Sequence, residues 1–322
     1  MRKISDVNLG MHLLEVEVTT RCNLDCTHCY NRNKEAMDMP IEEIFSLFEF
    51  AKNYGISSFV VSGGEASLHP QFDSIAEFLL EQEVGLRTVL QTNGAVANKR
   101  TELLRGFRVI HLSFEPDGSG VRKGSTEELI QLALRLNREG IYVYLFATVH
   151  KDNIAKIDWM VETANDFGLD IGFNLCVSTH RDPGLMLSVE QVKSVTEKLH
   201  GLYLEKKILR FTSPLVAILG ENESEKYIGN RGGCTAGIAS CVVLPGGDVV
   251  PCPFLRIRAG NIHEENLPGI WLNSQIFKDL RDRSRFDEPC GSCQFISYCG
   301  GCRKRALDSS GKLKGSDPAC FL

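Results

Sequence analysis

The length, composition and charge of the chain exclude several classes of protein. It has 322 residues, of which 43% are hydrophobic, and its 36 basic and 41 acidic side chains give a formal net charge of −5. This hydrophobic content excludes a disordered or collagen-like chain, and the length predicts about two domains at roughly 150 residues each. The small acidic excess argues against nucleic acid or an anionic membrane surface as a partner.

The sequence shows neither a signal peptide nor a membrane-spanning stretch. Residues 1–12 contain no apolar run of signal-peptide length, and nowhere do about 18 uncharged apolar residues follow one another. We therefore expect a cytoplasmic protein without a membrane partner. Because cytosolic thiols are kept reduced, the 12 cysteines predict metal binding rather than disulfides.

Six short aliphatic or β-branched runs alternate with helix-periodic segments between about residues 12 and 176. The predicted strands begin at Leu13, Ser57, Leu86, Val109, Tyr142 and Ile171. This alternation is typical of repeated βα units, and strands that are apolar on both faces fit a parallel sheet covered by helices. It predicts an α/β fold, a partial (β/α)6 barrel of the TIM type, whose functional rim is formed by the loops after the strands.

Local signals mark the starts of three helices. Pro40 precedes the first predicted helix. Ser125 with Glu128, and Ser188 with Gln191, have the spacing of capping boxes at the starts of two others.

The last third of the chain has a different composition. After a polar stretch from Glu221, which we interpret as a linker, eight of the cysteines fall between Cys234 and Cys320, among many turns and few long periodic runs. Such density predicts a small metal-stabilised domain. We expect a barrel domain over residues 1–220 and a cysteine-rich domain over residues 221–322.

A cysteine triplet follows the first predicted strand directly. Cys22, Cys26 and Cys29 form a CxxxCxxC motif on the expected rim. Three thiolates can hold three irons of a 4Fe-4S cube and leave the fourth iron open to a small molecule. The alternative is a structural zinc site, which would need a fourth ligand, with His28 as the nearby candidate.

The triplet, together with VSGGEA (residues 61–66) at the end of the second predicted strand, resembles the radical S-adenosylmethionine superfamily. The resemblance implies that the open iron chelates the methionine moiety and that the reduced cluster passes an electron to the sulfonium. The resulting 5′-deoxyadenosyl radical then abstracts hydrogen from a substrate. The protein is thus expected to be an oxidoreductase that places and shields a reactive cofactor.

The resemblance also implies a binding site for S-adenosylmethionine at the ends of the strands. Glycines there let backbone carbonyls approach the methionine ammonium, and a carboxylate adds an acceptor. Contacts to the ribose and the methionine carboxylate come from later loops, and a contact near the adenine comes from the position before the third cysteine. The predicted cofactor-binding residues are Ser62, Gly63, Gly64, Glu65, Asn93, Ser113, Arg122 and His28. An exposed loop arginine and a locally packed histidine are the ordinary alternatives for the last two.

The C-terminal cysteines resemble the SPASM extension of many radical enzymes. Twelve residues separate Cys234 from Gly247 and four separate Gly247 from Cys252, and the sequences CGSCQFISYCGGC and DPAC follow. One departure is that two residues, rather than three, separate Cys299 from Cys302.

The SPASM resemblance implies two auxiliary 4Fe-4S clusters, which with the triplet makes three. One would be held by Cys234, Cys241, Cys252 and Cys302, the other by Cys290, Cys293, Cys299 and Cys320. They would transfer electrons or only hold the domain together. Cys176, which remains, is expected to be a buried hydrophobic residue.

The substrate stays open at this stage. A proton lost after hydrogen abstraction needs a base, and the catalytic candidates on the rim are Glu115, His111 and Asp117. The architecture favours a maturase of a ribosomal peptide or protein, acting by crosslinking, decarboxylation or epimerisation. Modification of a tetrapyrrole side chain is the alternative, because CGGCRKRA and DPAC also resemble late haem-pathway enzymes.

Partners follow from these alternatives. With only about a dozen residues before the first strand, we expect a peptide substrate to bind directly or through a separate leader-peptide-recognition protein. A reductant such as flavodoxin or ferredoxin is also expected. A non-catalytic electron carrier with several clusters is the alternative from another class, but a carrier does not need six βα units.

Overall fold

The computed structural model describes residues 10–31, 35–82, 85–98, 101–116, 125–177, 183–219 and 233–322. Its strands in chain order are β1 (Leu13–Thr19), β2 (Ser58–Gly63), β3 (Arg87–Thr92), β4 (Val109–Ser113), β5 (Tyr142–Val149), β6 (Asp170–Leu175), β7 (Arg210–Thr212), β8 (Ser240–Val243), β9 (Asp248–Val250) and β10 (Gly260–Asn261). They form one sheet in the order β10-β9-β8-β1-β2-β3-β4-β5-β6-β7.

Helices connect and cover these strands. The α-helices of the described residues are α1 (Ile41–Asn53), α2 (Phe72–Leu80), α3 (Thr101–Leu104), α4 (Thr126–Arg138), α5 (Ile157–Asp166), α6 (Val189–Leu204), α7 (Leu267–Asn273), α8 (Gln275–Arg281) and α9 (Arg303–Ser310). Both predicted capping boxes are present, at Ser125 before α4 and at Ser188 before α6. None of the helices in these ranges combines the length and the apolar character that a membrane crossing requires.

The strands from β1 to β7 pair in parallel with their sequence neighbours. Each of the six predicted strands begins within one residue of an observed strand. The α/β prediction of a partial barrel with six βα units is therefore confirmed. Because all carboxyl ends of these strands meet at one edge, the loops that carry the predicted site residues are brought together.

β7 and β8 were not predicted from the sequence. β7 has only three residues, too few for a periodic signal. β8 comes from the cysteine-rich region and pairs in parallel with β1, with Leu13 opposite Ser240 and Val16 opposite Val243. The C-terminal region thus extends the sheet of the barrel, while the expected boundary at residue 220 and the linker to residue 232 lie outside the described residues.

The two faces of the sheet differ. On β1, Leu14, Val16 and Val18 belong to the main hydrophobic core under the helices. The opposite, inner face has a smaller apolar cluster of Val60, Val89, Val109 and Tyr144. β1 contributes Glu15 and Glu17 to the same face, where Glu15 lies opposite Val60. The expectation of strands that are apolar on both faces is therefore wrong for the inner face of β1.

Candidate functional site

A cavity of about 340 Å³ lies at the carboxyl ends of β1 to β6. Most of the site residues predicted for the barrel line it, namely Cys22, Cys26, His28, Cys29, Ser62, Gly63, Gly64, Glu65, Asn93, Ser113 and Glu115. Asp117 and Arg122 lie outside the described residues. Residues as distant in sequence as Cys22 and Glu115 thus share one cavity, as the parallel topology requires.

His111 is not among the residues that line the cavity. It lies lower on the inner face of β4, where its ring is 4.3 Å from that of Tyr144. Burial, and then Arg210 and Arg87, lower the pKa of His111 to about 3, so the ring is neutral at physiological pH. The structure does not bring this candidate base to the other site residues.

The cysteine triplet lies at the cavity wall. Burial, and then the neighbouring thiols of Cys29 and Cys22, raise the pKa of Cys26 to about 12, so the three thiols are close enough to interact electrostatically. Asn93 Nδ2 lies 3.8 Å from Cys22 Sγ and donates to Asn23 Oδ1 at 2.8 Å. The loop after β3 is therefore attached to the triplet.

The spacing of the thiols distinguishes a cluster from a single zinc ion. A tetrahedral zinc ion with Zn–S bonds of about 2.3 Å brings its sulfur ligands to roughly 3.8 Å of one another. Among the described residues, the only group of three or more Cys, His, Asp or Glu side chains with ligand atoms within 4.8 Å of one another is His28, Glu115 and His150. The sulfur atoms of Cys22, Cys26 and Cys29 therefore do not all lie within 4.8 Å of one another. This spacing is too wide for one zinc ion and fits a cluster of several irons.

The histidine pair around Glu115 is a polar cluster at the cavity wall. His28 Nε2 and His150 Nε2 lie 3.9 and 3.7 Å from the carboxylate oxygens of Glu115, and Asn153 Nδ2 donates to that carboxylate at 3.1 Å. His150 Nδ1 accepts from the Asp152 amide at 3.3 Å, which places the proton on Nε2. That nitrogen then has no lone pair for a metal and faces Glu115 as a donor.

The Gly63-Gly64 pair lies against the backbone that enters the triplet. Gly64 N donates to Thr19 O at 2.8 Å, and Glu65 N donates to Arg21 O at 2.7 Å. A Cβ on Gly64 would lie 2.3 Å from Arg21 O, and one on Gly63 would lie 2.5 Å from Thr19 O at a φ of +154°. The glycines therefore serve the packing of the chain on itself, a requirement that the sequence analysis missed.

Glu65 is buried, with 1% of its surface exposed. Oε1 accepts from the Ser67 amide (3.2 Å), the Ser67 hydroxyl (2.6 Å) and the Thr92 hydroxyl (2.9 Å), and Oε2 accepts from the Asn93 amide at 2.7 Å. These bonds join the loops after β2 and β3, so Glu65 positions Asn93.

Two buried glutamates on β1 were not considered as site residues from the sequence, and one of them lines the cavity. Glu15 lines the cavity and accepts from the Ser62 hydroxyl at 2.6 Å. Glu17 binds Arg256 from the C-terminal region through both carboxylate oxygens, at 2.5 and 2.8 Å. The available signal was two acidic residues within the otherwise apolar strand LLEVEVT.

The C-terminal cysteines fall into two places. Cys290, Cys293, Cys299 and Cys320 line a small cavity of about 20 Å³, which brings together the four residues of one predicted cluster.

The other predicted ligand set is only partly assembled. Burial, and then the thiols of Cys234 and Cys302, raise the pKa of Cys252, so these three are neighbours. Cys241 is buried in β8 with its sulfur 3.9 Å from that of Met11. Cys176 is 4% exposed, as expected, and also borders the large cavity.

Two family models match the chain. Residues 16–164 match the model described as "Radical SAM superfamily", and residues 234–294 match SPASM, an "Iron-sulfur cluster-binding domain". Both domains imply iron–sulfur clusters, and the first implies S-adenosylmethionine binding.

Named relatives share much of the chain. The AdoMet-dependent heme synthase of Methanosarcina barkeri is 27% identical, over 96% of this chain and 96% of that protein. The antilisterial bacteriocin subtilosin biosynthesis protein AlbA of Bacillus subtilis is 26% identical, over 91% of this chain and 67% of that protein.

The fold is shared with Streptococcus suis SuiB solved with bound S-adenosylmethionine. The TM-score is 0.76 at 18% sequence identity, and the match covers 97% of this chain and 77% of that chain. From its site and these matches, the chain belongs to the radical SAM superfamily and is an enzyme with a C-terminal SPASM domain.

Proposed function

We propose that this enzyme cleaves S-adenosylmethionine reductively and abstracts hydrogen from a ribosomal peptide or protein. The observation that carries the peptide assignment is the charge of the cavity. Three acidic side chains line it, from Glu15, Glu65 and Glu115, while its described lining contains neither lysine nor arginine. Such a wall favours neutral or cationic groups and repels carboxylates, because like charges in a low-dielectric site are costly.

The residues of the site fit the cofactors of the superfamily. Cys22, Cys26 and Cys29 would hold the 4Fe-4S cluster, and the segment around Gly63 and Gly64 would receive the methionine moiety. When bound, the cluster supplies the electron that splits S-adenosylmethionine into a radical able to remove hydrogen from a substrate. The protein holds the loops after β2 and β3 in place through Glu65 and Asn93, and it encloses the cavity.

Three clusters are proposed in total. The cavity lined by Cys290, Cys293, Cys299 and Cys320 supports one auxiliary cluster, and the proximity of Cys234, Cys252 and Cys302 supports the other. We retain Cys241 as the proposed fourth ligand of the latter set.

Modification of a tetrapyrrole is the second candidate. It is favoured by the heme synthase relative, which matches over 96% of both chains, whereas AlbA is matched over 67% of its length. Against it stands the acidic cavity wall, since haem precursors present several carboxylates.

The first experiment tests the chemistry. Three 4Fe-4S clusters correspond to about 12 irons per chain, to be counted after anaerobic reconstitution. S-adenosylmethionine and dithionite should then yield 5′-deoxyadenosine. Replacing Cys22, Cys26 and Cys29 together by Ala should abolish that product and leave about 8 irons. Retained cleavage in this variant would contradict the assignment of the triplet.

The second experiment tests the substrate class. Short peptides encoded beside the gene, with and without any separate leader-recognition protein, are compared with iron-coproporphyrin as additions to the same reaction. The peptide proposal predicts faster 5′-deoxyadenosine formation and a mass change in a peptide. A loss of CO2 from the porphyrin, with every peptide unchanged, would overturn it. Flavodoxin or ferredoxin can replace dithionite to test the proposed reductant.

A further inference from the structure

The inner face of β1 carries two glutamates with different surroundings. Glu15 and Glu17 are two residues apart and so point to the same face, and they are 6% and 0% exposed. Arg256 pairs with both oxygens of Glu17, and Asn31 Nδ2 donates to one of them at 3.3 Å. Glu17 is therefore a paired structural carboxylate.

The structure gives Glu15 no ion pair with any of the described residues. Among the described residues, its only hydrogen-bond partner is the Ser62 hydroxyl, which donates to Oε1 at 2.6 Å. Glu15 also lines the cavity. Its Oε2 is therefore the oxygen that remains for a molecule in the cavity.

The charged and titratable groups around Glu15 come from three directions. Glu17 lies on the same strand, Arg256 belongs to the C-terminal region, and Tyr30 follows the triplet. From the neighbouring strands, β2 contributes the Ser62 hydroxyl and β8 places Val242 opposite Glu15. Burial raises the pKa of Glu15 to about 7, with Ser62 and Arg256 opposing the rise and Glu17 adding to it.

The two neighbouring carboxyls differ in their partners, because an arginine and an asparagine hold Glu17 whereas one hydroxyl donates to Glu15. The paired one keeps the structure together, and the unpaired one can exchange a proton near neutral pH. We propose that Glu15 is the base that accepts the proton lost by the substrate when its radical is oxidised to a closed-shell product.

Hydrogen abstraction removes one hydrogen atom and leaves a carbon radical on the substrate. An iron–sulfur centre of the C-terminal domain would accept one electron from this radical, and a proton from an adjacent N–H, O–H or C–H bond would move to Glu15 Oε2. In all, the substrate loses two protons and two electrons, and a new crosslink or a double bond forms.

This inference rests on the proposed function and narrows it. An oxidative decarboxylation releases CO2 in place of the proton and needs no base, and an epimerisation returns a hydrogen atom to the substrate. Glu15 therefore points to proton-releasing oxidation of a peptide.

A spectroscopic experiment tests Glu15 without substrate. Infrared difference spectra of the reconstituted protein, recorded between acidic and alkaline pH, should contain a carboxyl band that titrates near pH 7. Glu15→Gln should lack this band, and Ser62→Ala should move its midpoint upward because a bond to the carboxylate is lost. Glu42→Gln, at an exposed position of α1, is the matched control and should keep the band. A band that persists in Glu15→Gln would overturn the inference.

A kinetic experiment follows once a peptide substrate is in hand. Product formation by the wild type should rise with pH through about 7, since the base must be deprotonated. Glu15→Gln should lose this limb and form product about 100-fold more slowly, and Glu15→Asp should restore part of it. An unchanged pH profile in Glu15→Gln would overturn the role of Glu15. A wild type that makes no 5′-deoxyadenosine would instead overturn the proposed function.

Discussion

Gly64 has no room for a side chain, because a Cβ atom at this position would collide with backbone atoms of a neighbouring segment. The atoms that a Cβ would meet first are the carbonyl oxygens of Arg21 and Thr20, at 2.3 and 2.7 Å. Carbonyls of a hydrogen-bonded segment cannot rotate aside as a flexible side chain does. Any substitution must therefore displace the chain just before Cys22.

We expect Gly64→Ala to lose most of the iron of the triplet cluster and to reduce 5′-deoxyadenosine formation at least about 10-fold, because misplacement near 1 Å costs about 100-fold in comparable sites. Iron counting and product quantification measure both effects. Gly201→Ala is the matched control: nothing lies within 4 Å of its added Cβ, and α6 should gain about 0.5–1 kcal/mol. Full iron content in Gly64→Ala would contradict the packing argument.

Glu15 also makes stability depend on pH. Its folded-state pKa, about 7, lies above the ordinary value of 4.5, so between these values the folded chain binds more protons than the unfolded chain. Its contribution to stability is therefore present below about pH 4.5 and lost as the pH rises to about 7.

We expect Glu15→Gln to remove this dependence. Relative to the wild type, the variant should gain about 3 kcal/mol in free energy of unfolding between pH 4.5 and 7. Urea unfolding at several pH values measures the difference. A constant difference across this range would show that Glu15 is not the titrating group.

At the scale of single elements, α4 shows how local sequence fixes a helix start. The Ser125 hydroxyl accepts from the Glu128 amide at 3.2 Å, and the Ser125 amide donates to the Glu128 carboxylate at 3.0 Å. Two amides at the helix start, which lack an intrahelical acceptor, are thereby satisfied. The capping box was predicted from sequence because its partners are three residues apart.

Ser125→Ala should lower the free energy of unfolding by about 1 kcal/mol through loss of this cap. Ser74→Ala in α2, at an exposed position, is the control and should leave stability unchanged or slightly raised, since alanine is the better helix former. Chemical denaturation of the reconstituted protein compares the two. Equal effects would mean that the cap contributes nothing beyond helix propensity.

For the molecule as a whole, the pair of Arg256 and Glu17 joins the C-terminal region to the first strand of the barrel. Glu17 is 0% exposed, and the edge of the Tyr30 ring packs against Phe254 with the ring centres 4.8 Å apart. Burial raises the pKa of Glu17 even beside Arg256, so the carboxylate depends on its partner to stay ionised. A buried pair of this kind is costly to break from one side only.

Arg256→Ala should therefore destabilise the protein by about 3–5 kcal/mol at neutral pH. The loss should shrink as the pH falls, because the abandoned Glu17 can then take up a proton. Combining it with Glu17→Gln should recover much of the loss, since no charge is left unpaired. Unfolding measurements on the single and double variants test this, and additive losses would argue against coupling.

The sequence by itself determined the features that depend on near neighbours. Six strands, the helix caps, the spacing of the triplet and the cysteine density of the C-terminal region are all set by periodicity or by residues a few positions apart. These identified an α/β barrel with an iron–sulfur region, and they placed Cys22, Gly64, Asn93 and Ser113 at strand ends that topology must bring together.

Only the tertiary structure decided which of these residues share surroundings, because burial and charge pairing depend on segments distant in sequence. Arg256 separates the roles of Glu15 and Glu17 although it is more than 200 positions away. Likewise, His111 does not line the cavity, because its ring packs against Tyr144 on the inner face of the sheet. The pairing of β8 with β1 could not be predicted from the sequence either. A strand of only four residues carries a weak local signal, and its pairing with the edge strand β1 stabilises it.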